Sequence, residues 1–469
     1  MPELRPITTS FGNNDELSYG ISLERLTLTN FRCFDSLEIN FDSRLTVFIA
    51  ENGGGKTTVL DAIAECLKNY LAALKVNGYE NKLLPDNSRD IKIGEQYVNC
   101  SLWADIDYVS LEYGDDLLEQ DEDDDDNGPK YSFIEIANNS IIPLIFTTAK
   151  DEQKQQLASE FYQQAEPLKK YTHLDFPVLA YYGGDSVVVE YHHKEETHLD
   201  KLNMVYAGAL SSSRFSFTTF YNWWKHNEDI MLRSDQTSPK FRTLKDQFAK
   251  LSNAIEFLLN DDIDNRIYSG LRINEELEMG MKKKTSEGDK FIAINQFSAG
   301  EKALFAFIAD LGLRLLHATP LSLNADADHA YRILGKGIVL IDEVDLHLHP
   351  KWQQKVIGKL MDIFPDVQFV VSTHSAAILP EIPSKHILRF SENKAFGVEY
   401  TQGQDYNTIL QNMGLDIANY EIIVKVYESL VANEITTAEQ LLSELREKTE
   451  GMSSELAQLE TLLELKKGE

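Results

Sequence analysis

The chain has 469 residues, room for two or three domains, and its 43% hydrophobic and 26% charged residues are typical of a globular protein rather than a disordered one. Because 45 Lys and Arg face 75 Asp and Glu, the net charge is −30, and most of the surface should repel nucleic acid unless a local basic groove exists. Three cysteines without CxxC spacing argue against a disulfide framework and a zinc site, and the lack of a long apolar run or signal region predicts a cytoplasmic protein that binds no membrane.

The first hundred residues have the pattern of an α/β lobe. Three short apolar segments, Leu23–Leu28, Leu37–Phe41 and Leu45–Ile49, predict strands. An apolar-periodic helix is expected from Thr57 to about Lys75. The stretch AENGGGKTT therefore stands between a strand and a helix, which is the setting that a phosphate-binding loop requires.

This loop departs from GxxxxGK[ST] at one position, because Ala50 stands where the first glycine is usual. Gly53 and Gly55 let backbone N–H groups turn toward phosphate oxygens, and the positive end of the following helix points to the same place. Lys56 should reach the β- and γ-phosphates, and the Thr57 hydroxyl should bind Mg²⁺. The residues predicted to surround the nucleotide are Asn52, Gly53, Gly54, Gly55, Lys56, Thr57 and Thr58.

The middle of the chain changes character twice. Tyr97–Ile106 is a strand candidate, and Asp115–Asp126 follows with nine carboxylates in twelve residues. This acidic run is either a plain solvated loop or a binding segment for a basic partner. Between Glu152 and Lys290 the pattern is mainly helical, interrupted by the strand-like Phe176–Tyr182. The apolar spacing of three and four residues from Phe241 to Leu258 predicts a helix that packs on another helix, more often in a core than at an interface.

From Phe291 the α/β pattern returns with three candidate sites. Ser298-Ala299-Gly300-Glu301 precedes the predicted helix Ala303–Leu316, and is either a helix cap or an anion site at a helix N-terminus. The predicted strand Gly337–Ile341 delivers Asp342 and Glu343 to the carboxyl edge of a sheet, where one acid can hold Mg²⁺ and the other can activate water.

The strand Val367–Ser372 leads to the third candidate, His374. An imidazole at that edge can sense the γ-phosphate or the attacking water, although a histidine taken alone is more often structural.

The chain is predicted to divide into four parts. The last of them carries apolar helical positions that either the same chain or a partner protein covers, among them Ile422, Val424, Val426 and Leu430. The four parts are 1–110, the N-terminal lobe with the phosphate loop; 111–290, an acidic loop and a mostly helical insertion; 291–396, the C-terminal lobe with the other three motifs; and 397–469, a small helical appendage that docks a partner.

These motifs, taken in chain order, resemble the heads of ABC-type ATPases of the SMC and RecF-like branch, which also begin with a strand leading into a motif like Asn30-Phe31-Arg32-Cys33-Phe34. The resemblance covers residues 20–110 and 290–395 and implies an α/β fold with a mainly parallel sheet and an antiparallel N-terminal part. It implies head-to-tail dimers that bury two ATP molecules, with Glu343 and His374 as catalytic residues.

The resemblance also assigns the residues that contact ATP and Mg²⁺. Around ATP they are Arg32, Ser298, Gly300, Glu301 and Asp345, and around Mg²⁺ they are Thr57, Asp342 and Gln96, the glutamine-loop candidate. Ala50 and Ala299 depart from the family pattern, and we expect a low turnover.

Within this branch the chain resembles the ATPases of bacterial antiphage systems, the Septu-type and retron-associated ATPases. The segments that carry this resemblance are Pro177–Gly183, EVDLHLHP after the Gly337–Ile341 strand, and Gly403–Asn407. The resemblance implies a separate HNH-type nuclease subunit, a homodimer or a larger oligomer built from dimers, and contact with DNA or RNA mainly through the complex. Two alternatives are a DNA-repair or chromosome-maintenance ATPase that acts directly on DNA, and the nucleotide-binding subunit of a membrane transporter.

Overall fold

The structure of the protein is a computed structural model. The residues that it describes are 20–50, 53–73, 76, 78–79, 92–93, 98–112, 133–147, 176–183, 187–188, 201–211, 215–260, 267–319, 329–346, 348–391, 393–398, 420–431, 434–448 and 454–468. The acidic run Asp115–Asp126 lies outside these residues. Among the described helices, none is both long and apolar enough to cross a membrane.

A six-stranded sheet forms the centre of the head. Its order is β15-β14-β3-β13-β12-β6, and all neighbours are parallel except β14 and β15. The strands are β3 (Leu45–Ile49), β6 (Val178–Tyr182), β12 (Gly337–Ile341), β13 (Val367–Thr373), β14 (Ile387–Ser391) and β15 (Lys394–Gly397). Every residue of β3, β12 and β13 is buried, as expected for parallel strands covered on both faces.

An antiparallel sheet with the order β2-β1-β4-β5 forms the N-terminal part. Its strands are β1 (Gly20–Phe31), β2 (Phe34–Asn40), β4 (Asn99–Glu112) and β5 (Phe133–Thr147). Helix α1 (Lys56–Ala73) lies against both sheets and buries Leu60, Ile63 and Leu67. The predicted α/β head with a parallel sheet and an antiparallel N-terminal part is confirmed.

Residues 111–290 differ from the predicted mainly helical pattern. Strand β5 pairs with β4 across the expected boundary at residue 110, and a separate antiparallel sheet with the order β11-β10-β9 occupies the end of the region. Its strands are β9 (Tyr268–Ile273), β10 (Met279–Thr285) and β11 (Gly288–Ala293). The physical reason is that pairing with the neighbouring strand stabilises segments, such as the lysine-rich β10, that local periodicity does not mark as strands.

Helices nevertheless form a layer beside the main sheet. They are α2 (Lys201–Tyr206), α3 (Phe217–Arg233), α4 (Pro239–Leu259) and α5 (Ala299–Ala318), and two short strands, β7 (Val187–Val188) and β8 (Phe215–Ser216), pair next to them. The predicted apolar stripe lies on α4, where Phe248, Leu251 and Ile255 are buried in the main core and α4 packs on α5. The stripe is therefore core and not a free surface.

The C-terminal helices have a small core of their own. Helix α6 (Pro350–Ile363) closes the head, and α7 (Tyr420–Val431), α8 (Ile435–Lys448) and α9 (Ser454–Gly468) follow it. Ile422, Val426 and Leu430 are buried against α8 and α9, so the same chain covers these apolar positions of α7. The side chain of Val424 lies outside the described residues. This finding removes the apolar stripe of α7 as a docking groove.

Candidate functional site

The loop between β3 and α1 has the backbone of a phosphate cradle. Gly53 has φ +76° and Gly55 has φ +93°, left-handed conformations that L side chains rarely adopt. The buried Lys56 folds back over the loop, and its Nζ donates to the carbonyl oxygen of Ala50 at 2.9 Å. The loop thus keeps its shape with alanine at the first position, since it is the carbonyl of that residue that binds the lysine. Asn52 lies outside the described residues.

The turn between β1 and β2 packs on this loop. A Cβ added to Gly55 would lie 2.4 Å from the Phe34 ring and 3.2 Å from the Cys33 sulfur, so only glycine fits there. Gly54 continues the turn into α1, and the Thr58 side chain hydrogen-bonds to the Cys33 thiol. Burial raises the pKa of that thiol, and the thiol is neutral near pH 7.

Arg32 lies beside the loop in a left-handed conformation with φ +47°. Its Nη1 donates to Asp61 Oδ2 on α1 at 2.6 Å, and the Tyr181 hydroxyl donates to the other carboxylate oxygen of Asp61 at 3.1 Å. Burial and the neighbouring carboxylates Asp61 and Asp342 raise the pKa of Tyr181, so its hydroxyl remains a donor. Asp61 therefore fixes the guanidinium one helical turn from the phosphate loop.

The two predicted magnesium ligands lie together. The Thr57 hydroxyl donates to Asp342 Oδ2 at 2.7 Å, although 285 residues separate them in the chain. A hydroxyl and a carboxylate are ligands that Mg²⁺ accepts alongside water and phosphate oxygens, so this pair fits the ion. Gln96 lies outside the described residues, and no group of three or more His, Cys, Asp or Glu among the described residues forms another metal site.

Ser372 on β13 orients the acidic pair. Its buried hydroxyl donates to Asp342 Oδ1 and accepts the backbone N–H of Glu343 at 2.9 Å. Glu343 has φ +54°, a conformation that costs an ordinary residue of order 1 kcal/mol and is common at functional sites. The hydrogen bond to Ser372 holds the Glu343 backbone in this conformation. The chain therefore leaves the direction of β12 at Glu343, at the sheet edge where Thr57 and Asp342 meet.

Asp345 joins the loop after β12 to the end of β13. It is buried, and its Oδ1 accepts the Thr373 hydroxyl at 2.5 Å and the His374 backbone N–H at 3.2 Å. Burial raises the pKa of Asp345, while these hydrogen bonds and the nearby imidazole of His374 oppose the rise. These two hydrogen bonds tie the segment that carries Glu343 to the segment that carries His374.

Ser298 is the N-cap residue of α5. Its hydroxyl and its backbone N–H both donate to Glu301 Oε2 at 2.8 Å, and the Glu301 N–H donates back to the hydroxyl at 3.3 Å, which is a capping box. Tyr268 on β9 donates to Glu301 Oε1 at 2.6 Å. Gly300 lies in the first turn of α5, and none of the hydrogen bonds described for this segment reaches the phosphate loop.

Several positioning residues could not be found from the sequence. Tyr181 and Ser372 lie in segments that the sequence singled out and Asp61 lies in the predicted helix, but no pattern assigned them a role, because each acts through a contact with a distant segment. Gln353 on α6 is a fourth, because its amide donates to the carbonyls of Asp345 and Leu348 at 3.3 and 2.9 Å. The one available signal is spacing, since Asp61 follows Thr57 by one helical turn.

Fold and site together define a P-loop nucleoside triphosphatase, in which a phosphate loop and an acidic strand end meet at one edge of a parallel sheet. A family model described as an AAA ATPase domain matches residues 22–379, and the chain belongs to this family of ATPases.

Named relatives agree with this assignment. The chain is 27% identical to the retron Vc95 probable ATPase of Vibrio cholerae serotype O1 biovar El Tor over 472 residues, which cover 88% of this chain and 84% of the relative. It is 24% identical to the Septu protein PtuA of Bacillus thuringiensis, with 84% of each chain covered. These relatives confirm the predicted resemblance to retron-associated and Septu-type ATPases. A solved SMC head bound to the C-winged helix domain of ScpA covers 81% of this chain and 98% of its own, at 14% identity and a TM-score of 0.38, too low to carry an argument.

Proposed function

We propose that the chain is the ATPase subunit of an antiphage defence complex, in which ATP-dependent pairing of two heads holds and regulates a separate HNH-type nuclease. The observation that carries the ATPase part is the network of Thr57, Asp342, Ser372 and Glu343 at the edge of the sheet. The defence part is supported by relatives named as retron and Septu proteins over more than four fifths of the chain.

In this proposal each residue at the sheet edge has one task. Lys56 and the loop N–H groups bind the β- and γ-phosphates, with Asn52, Gly54 and Thr58 completing the cradle and Arg32 beside it. Thr57 and Asp342 hold Mg²⁺, which neutralises phosphate charge when bound. Glu343 takes the proton of the attacking water, and His374 senses the γ-phosphate. Gln96 is proposed to complete the magnesium shell.

Pairing of two copies is proposed because none of the hydrogen bonds described for the Ser298 segment reaches the phosphate loop of its own chain. Ser298 is exposed, Gly300 and Glu301 are half-buried at this helix N-terminus, and their hydrogen bonds stay within the region of α5 and β9. An N-terminus of this kind binds anions through its N–H groups and its dipole. In a head-to-tail dimer it would cover the γ-phosphate held by the other copy, and Asp345 would lie in the loop that joins the two sites.

The nuclease is proposed to dock on the C-terminal unit α7–α9, alone or with residues 152–290. Because these three helices have a core of their own, deleting the residues after Asp416 removes one whole unit and leaves the core of the head intact. The Tyr427 ring lies 6.1 Å from the His349 ring, so the unit contacts the head near the loop after β12.

Co-purification of the full-length chain and of the truncation with a co-expressed HNH-type nuclease tests this docking. The full-length chain should retain the nuclease, and the truncation should lose it while still binding ATP. A truncation that keeps the nuclease in normal ratio contradicts docking on α7–α9. If only DNA accompanies the full-length chain, the alternative of an ATPase that acts directly on DNA is favoured.

A further inference from the structure

The small sheet β9–β11 has one face in the core and one face in solvent. In register, Lys283 lies opposite both Tyr268 and Lys290, and this face continues into the buried Met279 and Met281. On the opposite face Lys282 lies opposite Phe291. Side chains of directly paired residues in antiparallel strands lie on the same face of the sheet, so Lys282 and Phe291 share the face opposite to that of Lys283.

The solvent face carries three cations around an aromatic ring. Arg272, Lys282 and Lys284 are exposed, and the Arg272 guanidinium carbon lies 5.5 Å from the centroid of the Phe291 ring. Neither Lys282 nor Lys284 has an ion-pair partner among the described residues. Phe291 is only partly buried and is not part of the apolar core, although its neighbour Ile292 packs against that core. We call Arg272, Lys282, Lys284 and Phe291 the basic face.

Protection of a sheet edge does not account for these lysines. Lysines often blunt the edge strands of sheets, but β10 is the central strand of β11-β10-β9 and both its edges are paired. Lysine is also depleted in strands, so consecutive lysines there disfavour the fold locally. Among the described residues, Asp289 pairs in register with Lys284 on this face, and the exposed Glu278 lies two residues before Gly280 at the start of β10, so three cations face two acids.

This excess matters because the whole chain carries a net charge of −30. An acidic protein repels polyanions everywhere except where cations cluster, so a local basic face selects where a polyanion can bind. An aromatic ring on a flat sheet face between cations suits bases that stack while their phosphates contact Lys and Arg. An acidic peptide would use the cations but offers no flat base to the Phe291 ring, whereas a base can stack there when the Arg272 guanidinium, which lies over the ring, turns to a phosphate.

We infer that the basic face of the β9–β11 sheet binds single-stranded nucleic acid, with Lys282, Lys284 and Arg272 on the phosphates and Phe291 stacked on a base. The other face of the same sheet contacts the Ser298 segment, because Tyr268 donates to Glu301 at 2.6 Å and Lys283 lies 4.8 Å from the Tyr268 ring. Nucleic acid bound on one face therefore lies one sheet thickness from the proposed dimer contact of the ATPase. The inference needs no nuclease partner.

Fluorescence anisotropy of the full-length chain with a labelled oligothymidylate of about 20 nucleotides tests the inference. The double variant Lys282→Glu and Lys284→Glu should weaken binding at least about tenfold and lower the slope of log K against log salt by about 1.4, at roughly 0.7 for each phosphate contact. The matched control, Lys394→Glu and Lys425→Glu, makes the same charge change at two exposed lysines of β15 and α7 and should bind as the parent does. Phe291→Leu keeps an apolar side chain but loses the ring, and should weaken binding about tenfold with the salt slope unchanged.

Two results would overturn the inference. One is a double variant that binds with the affinity and salt slope of the parent. The other is displacement of the oligonucleotide by polyglutamate of equal length at equal concentration, which would make the face a site for acidic polypeptide. ATP hydrolysis and thermal unfolding of each variant are measured in parallel, so loss of the fold or of the ATPase is seen separately from loss of nucleic-acid binding.

Discussion

Replacing Ser372 with Ala should slow ATP hydrolysis strongly while leaving ATP binding nearly intact. Ser372 is fully buried, and its hydroxyl is bonded both to the Asp342 carboxylate and to the Glu343 N–H. A hydrogen bond to a charged group contributes about 1.5–3 kcal/mol, and a buried donor left without a partner costs about 1–3 kcal/mol. If about 1.5–3 kcal/mol of this is lost from the transition state, kcat falls about 10- to 160-fold.

Phosphate release at saturating ATP gives kcat, and a fluorescent ATP analogue gives the affinity. Because the contacts of the phosphate loop are untouched, KM for ATP should change by less than about threefold, a split that a general loss of structure does not produce. Ser429→Ala is the matched control, since it removes a hydroxyl bonded to the Lys425 carbonyl at 2.8 Å in α7, outside the site. A folded Ser372→Ala variant with kcat within about twofold of the parent would refute the positioning role.

Other substitutions test single contacts of the site. Lys56→Ala should abolish nucleotide binding in a folded protein, measured by calorimetric titration with ATP, and unchanged affinity would refute the assignment of the loop. Glu343→Gln should retain ATP and slow turnover about 10²- to 10⁴-fold, so that ATP-bound dimers accumulate on a sizing column; turnover near that of the parent would show that Glu343 is not the base. Tyr268→Phe should lower the free energy of unfolding by about 1–3 kcal/mol at pH 7. Burial raises the pKa of Glu301, but hydrogen bonds from Tyr268 and Ser298 outweigh it and hold that pKa below its usual value. The loss should therefore be full above about pH 4.5 and should shrink as the pH falls through the lowered pKa. A loss that is independent of pH would contradict the charged state of Glu301.

The parts of the site that lie next to one another in the chain were predictable. The loop after β3 and the acids after β12 combine a buried apolar strand with a short polar segment of restricted chemistry, and both patterns are local. The helix after Ser298 was also expected, and the structure extends it from Ala303–Leu316 to Ala299–Ala318. Local patterns suffice here because each of these elements depends on contacts between residues that are only a few positions apart in the chain.

Contacts between distant segments were not predictable. The Asp61 carboxylate on α1 receives Arg32 from the β1–β2 turn and Tyr181 from β6, and no local pattern indicates that these three segments meet. Strand β10 contains three consecutive lysines, which disfavour a strand until β9 and β11 pair with it. Periodicity showed that α7 has an apolar side but could not show that α8 and α9 of the same chain cover it.

A mixing experiment tests the central claim, that two copies of the chain build one ATP site, most directly. A Lys56→Ala chain lacks a working phosphate loop, and a Ser298→Arg chain blocks the helix N-terminus that would cover the other copy's γ-phosphate. Each variant alone should be inactive. Mixed in equal amounts, they should recover about a quarter of the parent's ATPase rate, because half of the random dimers are mixed and each mixed dimer has one intact site of two. A mixture as inactive as its components, with mixed dimers demonstrated by differential tags, would contradict the shared site, as would a Ser298→Arg chain that hydrolyses ATP at the parent's rate.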